Sequence, residues 1–265
     1  MNSPKPLIVA GLQIHLAWEE TDQNLHRIED YLEQVGTVDL VLLPEMFSTG
    51  FSMRVKDLAP KNTVVIDWMK RITRERDFAL AGSLSFLERG KYYNRFFCVE
   101  DGEILHTYDK RHLFSLAKEE EIYSAGTDRK VFELRGWRIC PLICYDLRFP
   151  VWSKNREEYD LLLYVANWPE RRIEAWDVLL RARAIENMSA VIGVNRVGKD
   201  GNGVYHNGHS VIIDSLGKII EELDPGAEGW VIAELRKDEI DRNREKFGFL
   251  KDGDAFNCLG LPPRK

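Results

Sequence analysis

The sequence predicts an α/β protein with mixed β-sheets, folded as one domain over residues 1–265. Three observations carry that expectation. Short apolar runs alternate with segments of helical periodicity along the chain, the pattern of layered α/β folds. Pairs of runs flank tight turns at Asp101-Gly102 and Ser215-Leu216-Gly217, so some neighbouring strands must be antiparallel. No Pro-, Gly- or Ser-rich linker divides the chain.

In order, Leu7 to Ile14 reads as a buried strand. Thr21 and Asp22 offer N-caps to a helix with Leu25, Ile28, Leu32 and Val35 at helical spacing, ended by Gly36. Asp39 to Leu43 is a second buried strand, stopped by Pro44. Lys61 to Arg76 reads as a helix and Phe78 to Leu84 as a strand. Tyr92 to Glu100 and Glu103 to Tyr108 form the first hairpin. The second half repeats this order. Trp137 to Cys144 is a strand, and a helix is expected after Asp146. Leu161 to Ala166 is a buried strand, Arg172 to Asn187 a helix, and Ser189 to Asn195 a strand. Val211 to Asp214 and Lys218 to Leu223 make a hairpin. Gly229 to Leu235 is the last strand, Lys237 to Phe247 the last helix, and the tail from Gly248 is loop-like.

The 265 residues are 44% hydrophobic and 30% charged, ordinary for a soluble globular chain. A net charge of −6 gives no reason to expect nucleic acid or an anionic membrane surface as partner. No apolar stretch approaches the roughly 20 residues that cross a bilayer. Met1 to Lys5 lacks a signal-peptide layout, so a cytoplasmic location is expected. Cys98, Cys140, Cys144 and Cys258 are too few to staple such a chain. With no Cys-x-x-Cys or paired Cys/His spacing, neither disulfides nor a structural zinc is expected.

Three segments place a reactive side chain just past an apolar strand. Leu42-Leu43-Pro44-Glu45-Met46-Phe47 sets a carboxylate among apolar neighbours. Desolvation there raises a carboxylate's pKa and suits it to general-base work. Tyr108-Asp109-Lys110-Arg111-His112 ends a hairpin strand with an ammonium able to stabilise an oxyanion. Ile139-Cys140-Pro141-Leu142-Ile143-Cys144-Tyr145-Asp146-Leu147-Arg148-Phe149-Pro150 carries Cys144 from a strand to a helix start, where amides and the helix dipole favour a thiolate. Read singly, each has a plainer interpretation: a surface glutamate capping a turn, a solvated basic turn, a buried inert cysteine. Cys140, inside the strand, is read as buried and inert.

In this order the three segments resemble the nitrilase superfamily of carbon–nitrogen hydrolases. That family sets its glutamate in a strand-end Pro-Glu, its lysine in a Lys-x-His-Leu-Phe-like stretch and its cysteine in a Cys-Tyr-Asp-x-Arg-Phe-Pro-like elbow. The corresponding residues are Glu45, Lys110 and Cys144. Leu180 to Asn187 and Gly208 to Gly217 resemble later family segments. The resemblance implies a four-layer α-β-β-α sandwich with two mixed β-sheets, no cofactor and no metal. It implies Cys144 as nucleophile, Glu45 as base, and Lys110 with the Tyr145 backbone amide as oxyanion donors. It also implies a second glutamate, Glu119, with Glu120 the alternative register. A homodimer is expected too, with the tail 247–265 at an oligomer interface.

Ala166-Asn167-Trp168-Pro169-Glu170-Arg171-Arg172 and the stretch Asn195 to Gly203 look most like the ω-amidase branch, whose substrates are 2-oxo-dicarboxylate monoamides such as 2-oxoglutaramate. Trp168 and Phe47 are expected to wall the pocket. Arg172, Arg171 or Arg148 would hold a substrate carboxylate, with Arg148 alternatively a brace under the elbow. The neighbouring alternative is an N-carbamoyl amine hydrolase. From other classes come a metal-dependent phosphoesterase using Glu45, His206, Asn207, His209 and Asp214, and an inactive binding module.

Overall fold

A computed structural model describes residues 5–254 apart from residue 157. The first sheet is built from β1 (Leu7–Gln13), β2 (Leu40–Leu42), β3 (Ala79–Glu88), β4 (Lys91–Glu100) and β5 (Glu103–Asp109). The second holds β6 (Phe132–Leu134), β7 (Trp137–Ile143), β8 (Leu161–Ala166) and β9 (Ala190–Asn195). A small ribbon of β10 (Val197–Lys199) and β11 (Tyr205–Asn207) follows. Then β12 (Val211–Ile213) and β13 (Ile219–Glu222) complete the second sheet, and β14 (Gly229–Leu235) returns to the first. The orders are β14-β1-β2-β3-β4-β5 and β13-β12-β9-β8-β7-β6. Within each sheet the central pairs are parallel and the outer pairs antiparallel, as the mixture of crossovers and hairpins requires.

Strand alternation separates two cores. Val9, Leu40, Leu42, Ala81 and Phe96 face the second sheet, while Ala10, Leu12, Val41, Leu80 and Phe97 face outward. The outer face packs on helices α1 (Thr21–Leu32) and, beyond a single-turn helix α2 (Val55–Leu58), α3 (Asn62–Glu75). The far face of the second sheet is covered by the single turn α4 (Pro150–Ser153) and α5 (Ile173–Asn187), with Trp176, Leu180 and Ala184 inward. Four layers result. The two sheets approach so closely at Gly11 that an added Cβ would lie 2.5 Å from a Val194 methyl. The last helix is α6 (Lys237–Phe247). Its Arg244 and Lys237 reach the buried Asp160, tying the C-terminal region to the second sheet.

Two local expectations change. Helix α1 begins at Thr21 without a side-chain cap and ends at Leu32, short of Gly36. Val35 is buried from the loop beyond it. The helix expected after Asp146 is only the single turn α4, and it is preceded by a five-residue 3₁₀ turn, Cys144–Arg148, that starts at the cysteine itself. Of the tail, Phe249–Asp252 is a 3₁₀ turn, and residues 255–265 lie outside the described residues.

Candidate functional site

Each site residue stands at the end of an element that the two sheets bring to one edge. Glu45 follows β2, and Met46 after it has a left-handed φ of 47°. That turn is held by a hydrogen bond from the Met46 amide to Ser83 Oγ on β3 (3.0 Å). Lys110 follows β5, its amide donating to the Asn94 carbonyl of β4 (2.9 Å). Glu119 opens a 3₁₀ turn behind Lys118, whose left-handed backbone swings Glu119 inward and leaves Glu120 exposed. Cys144 also has a left-handed φ, 44°, a strained elbow between β7 and its 3₁₀ turn. The first amides of such a turn, Tyr145 among them, have no acceptor within the turn.

Lys110 Nζ donates to Glu45 Oε1 (2.9 Å) and to Glu119 Oε1 and Oε2 (3.1 and 3.0 Å). All three side chains are at most 1% exposed. Glu45 Oε2 accepts from the Asn167 amide at 2.8 Å, and Glu119 Oε2 from the Phe114 amide at 2.6 Å. A buried group of two carboxylates and one ammonium sets the charge states. Burial alone would lower the Lys110 pKa, but Glu119 and Glu45 more than offset it and hold it well above the usual range. Burial, with Glu45 adding repulsion against Lys110's attraction, raises Glu119. Burial and then the charge of Glu45 push the Cys144 thiol well up, with Lys110 only partly opposing them. Both influences oppose the thiolate that a helix start would favour. A 3₁₀ turn this short has little dipole to offer.

The elbow and the Lys110 segment are joined by Asp146, which the motif analysis left without a role. Its buried carboxylate accepts from Tyr108 Oη (2.7 Å), the Ile143 amide (3.1 Å) and the His112 amide (2.9 Å). His112 Nδ1 lies 2.7 Å from the same group, and its ring stacks on Phe149. Arg183 of α5 braces the elbow by donating to the Leu147 carbonyl (2.5 Å).

Cys144 opens into a cleft of about 150 Å³ that Glu45 and Lys110 also line. Its apolar walls include Phe51, Phe114 and Trp168. Trp168 is pinned by donation from Nε1 to the Arg172 carbonyl (2.8 Å). The expectation for Phe47 is corrected: it is fully buried in the outer core against Trp68 and Gly82 and does not reach the cleft. Phe51, four residues on, supplies that wall. Arg148, Arg171 and Arg172 all line the cleft. Arg148 lies over Trp168 and Arg172 over Phe114, each 5.0 Å from the ring centroid. Arg148 is thus at the cleft, and the brace under the elbow is Arg183. None of the three forms a salt bridge with a described residue. Burial lowers the Arg172 pKa, and the neighbouring Arg171 adds to it. Asp200 and Asn202 also line the cleft, as does His206, which the sequence offered only as a metal ligand.

The residue set for metal-dependent chemistry is dispersed. His209 pairs with Asp177 (3.0 Å), Asp214 accepts the Leu216 and Lys218 amides of its own turn, and Glu45 is committed to Lys110. Among the described residues no three His, Cys, Asp or Glu side chains group as metal ligands.

The chain has clear relatives. Over 249 residues, covering 94% of this chain and 97% of the relative, it is 47% identical to omega-amidase YafV of Yersinia enterocolitica. It is 32% identical to 2-oxoglutaramate amidase of Bacillus subtilis, over 92% of this chain and 96% of the relative. The structure of XC1258 from Xanthomonas campestris, described as a CN-hydrolase superfamily protein with an arsenic adduct in the active site, superposes with a TM-score of 0.92 at 37% identity, covering 96% of this chain and 99% of that one. The sequence model of carbon-nitrogen hydrolases matches residues 8–245, and the chain belongs to the carbon–nitrogen hydrolase family.

Proposed function

We propose that this protein is an ω-amidase, a thiol hydrolase that releases ammonia from the terminal amide of a 2-oxo-dicarboxylate monoamide such as 2-oxoglutaramate. The carrying observation is the combination in one cleft of Cys144, Glu45, Lys110 with Glu119 behind it, and three arginines that form no salt bridge with a described residue. A bare carboxylate is costly in a partly apolar cleft unless a guanidinium meets it, and this cleft presents three. A cationic carbamoyl amine would meet the same guanidinia as repulsion. The relatives named for omega-amidase and 2-oxoglutaramate amidase activity support the same reading.

In the proposed reaction the Cys144 proton passes to Glu45 as the sulfur pair attacks the amide carbon, so no free thiolate accumulates beside two carboxylates. Lys110 and the Tyr145 amide hold the oxyanion, while Glu119 fixes Lys110. Glu45 returns the proton to the departing nitrogen, which leaves as ammonia. Water activated by Glu45 then hydrolyses the thioester, giving the dicarboxylate and restoring the thiol. Ammonia release from a panel of 2-oxo-dicarboxylate monoamides, uncharged amides and carbamoyl amines tests this. The proposal expects the first group to have the highest kcat/KM by at least tenfold, and preference for either other group would overturn it.

The proposal includes a cytoplasmic homodimer. Among the described residues no helix is long and apolar enough to cross a membrane, and the described cysteines form no disulfide. Helix α5 turns Val178 (63% exposed) and Ile185 (52%) outward, an apolar face suited to a second copy.

A further inference from the structure

Asn94 lies in mid-strand on β4, fully buried. Its Nδ2 donates to Glu45 Oε1 (2.7 Å) and reaches Glu119 Oε1 (3.3 Å). Its own carbonyl accepts the Lys110 amide (2.9 Å). A carboxamide nitrogen carries two hydrogens, so one can serve each carboxylate. Among the described residues its Oδ1 is buried without a partner, and its Nδ2 bonds both carboxylates. Donors at both Oε1 atoms favour those oxygens as acceptors, and a proton is least favoured on the carboxylate oxygen with the most close donors. Glu45 Oε1 therefore has two donors, Lys110 and Asn94. Oε2 has one close donor, the Asn167 amide (2.8 Å), and a second from Asn167 Nδ2 at 3.4 Å. Asn167, Glu45 and Cys144 line the same cleft.

We propose that Asn94 is a positioning residue for the base: it holds Oε1 of Glu45 and of Glu119 against Lys110, so that the proton leaving Cys144 is carried on Oε2 of Glu45. The proton moves from sulfur to Oε2, the sulfur pair forms the C–S bond, and the proton then leaves on the departing nitrogen. The charged or titratable groups around Glu45 are Lys110 from the β5 end, Glu119 and Tyr123 from the following turns, and Cys144 at the elbow, with Arg172 beside Cys144. The inference rests on the proposed role of Glu45.

The test compares Asn94→Ala, Asn94→Asp and Glu45→Gln with the parent. It measures kcat and KM for 2-oxoglutaramate across pH, and the pH dependence of iodoacetamide alkylation at Cys144. Removing a donor from Glu45 makes its carboxylate harder to keep charged. The acid limb of kcat/KM should move up by about one unit in Asn94→Ala, with kcat down roughly 10–100-fold and KM within about threefold. The alkylation profile should move the same way. Asn94→Asp places a third carboxylate beside Lys110 and should lose more kcat than Asn94→Ala. Unmoved pH profiles in folded Asn94→Ala, or an effect confined to KM, would overturn the inference. If Glu45→Gln is inactive while Asn94→Ala keeps the parent profile, only this inference fails. If Glu45→Gln is active, the reading of the base fails with it.

Discussion

Replacing Arg172 with alanine separates the substrate's charge from the chemistry of its amide. The guanidinium is half-buried, lies over Phe114, and has no salt bridge with a described residue. Burial and the nearby Arg171 both disfavour its charge, and an incoming carboxylate relieves that strain. A hydrogen bond to a charged group contributes about 1.5–3 kcal/mol. Solvent screening at the cleft mouth, and the arginines that remain, place the loss near the lower end, about 1.5–2 kcal/mol. That is a rise in KM of roughly 10–30-fold for the ω-amide. The backbone should be unaffected, because Trp168 is held by the Arg172 carbonyl rather than its side chain. Initial rates of ammonia release would be compared for 2-oxoglutaramate and for an uncharged amide of similar length, with the uncharged amide changing less than about threefold. Equal losses for both would refute the reasoning and make Arg172 structural. No loss for either would move the carboxylate contact to Arg171 or Arg148.

Four further outcomes follow from the same geometry. Cys144→Ala should abolish turnover with an unchanged circular dichroism spectrum, whereas Cys140→Ala, buried in β7, should keep activity; the reverse pattern would misplace the nucleophile. Glu45→Gln should lower kcat by about 10²–10⁴-fold at little cost in KM, read by steady-state kinetics. Asp160 is buried, and Arg138 and Lys237 hold its pKa down to about 2 against the cost of burial. Its stabilisation, about 2 kcal/mol, is therefore complete above the unfolded value near 4 and is lost as pH falls from about 4 to 2; urea midpoints across that range should fall in the parent and less so in Asp160→Asn, which starts lower. Light scattering at micromolar concentration should give a dimer mass, and a monomeric mass in Val178→Asp would place the contact on α5.

The layered fold was legible because its strands are short, apolar and closed by turn residues, as in Leu161–Ala166 and Gly229–Leu235, where expected and observed limits coincide. Glu45, Lys110 and Cys144 could be singled out because each follows such a run. What sequence reasoning missed depends on side-chain direction and on contacts remote in sequence. Phe47 is two residues from Glu45, yet the left-handed turn at Met46 sends it into the outer core, while Phe51 comes back to the cleft. Glu119 could not be told from Glu120 until the backbone of Lys118 showed which acid turns inward. Asn94 stands among Tyr92, Tyr93 and Arg95 and reads locally as a surface polar residue; only the pairing of β4 with β3 and β5 carries it to the carboxylates. Asp146 was quoted in the elbow motif, but its partners Tyr108 and His112 are over 30 residues away. Gly36 was read as a helix end from its residue type, although α1 had already ended at Leu32.

The central claim is a thioester on Cys144 formed with proton transfer to Glu45. The direct test is rapid acid quench of the parent enzyme during turnover of 2-oxoglutaramate, followed by peptide mass spectrometry. An acyl mass is expected on the peptide carrying Cys144, rising and decaying with turnover and absent from Cys144→Ala. An acyl group on another residue, or turnover by Cys144→Ala at the parent rate, would contradict it.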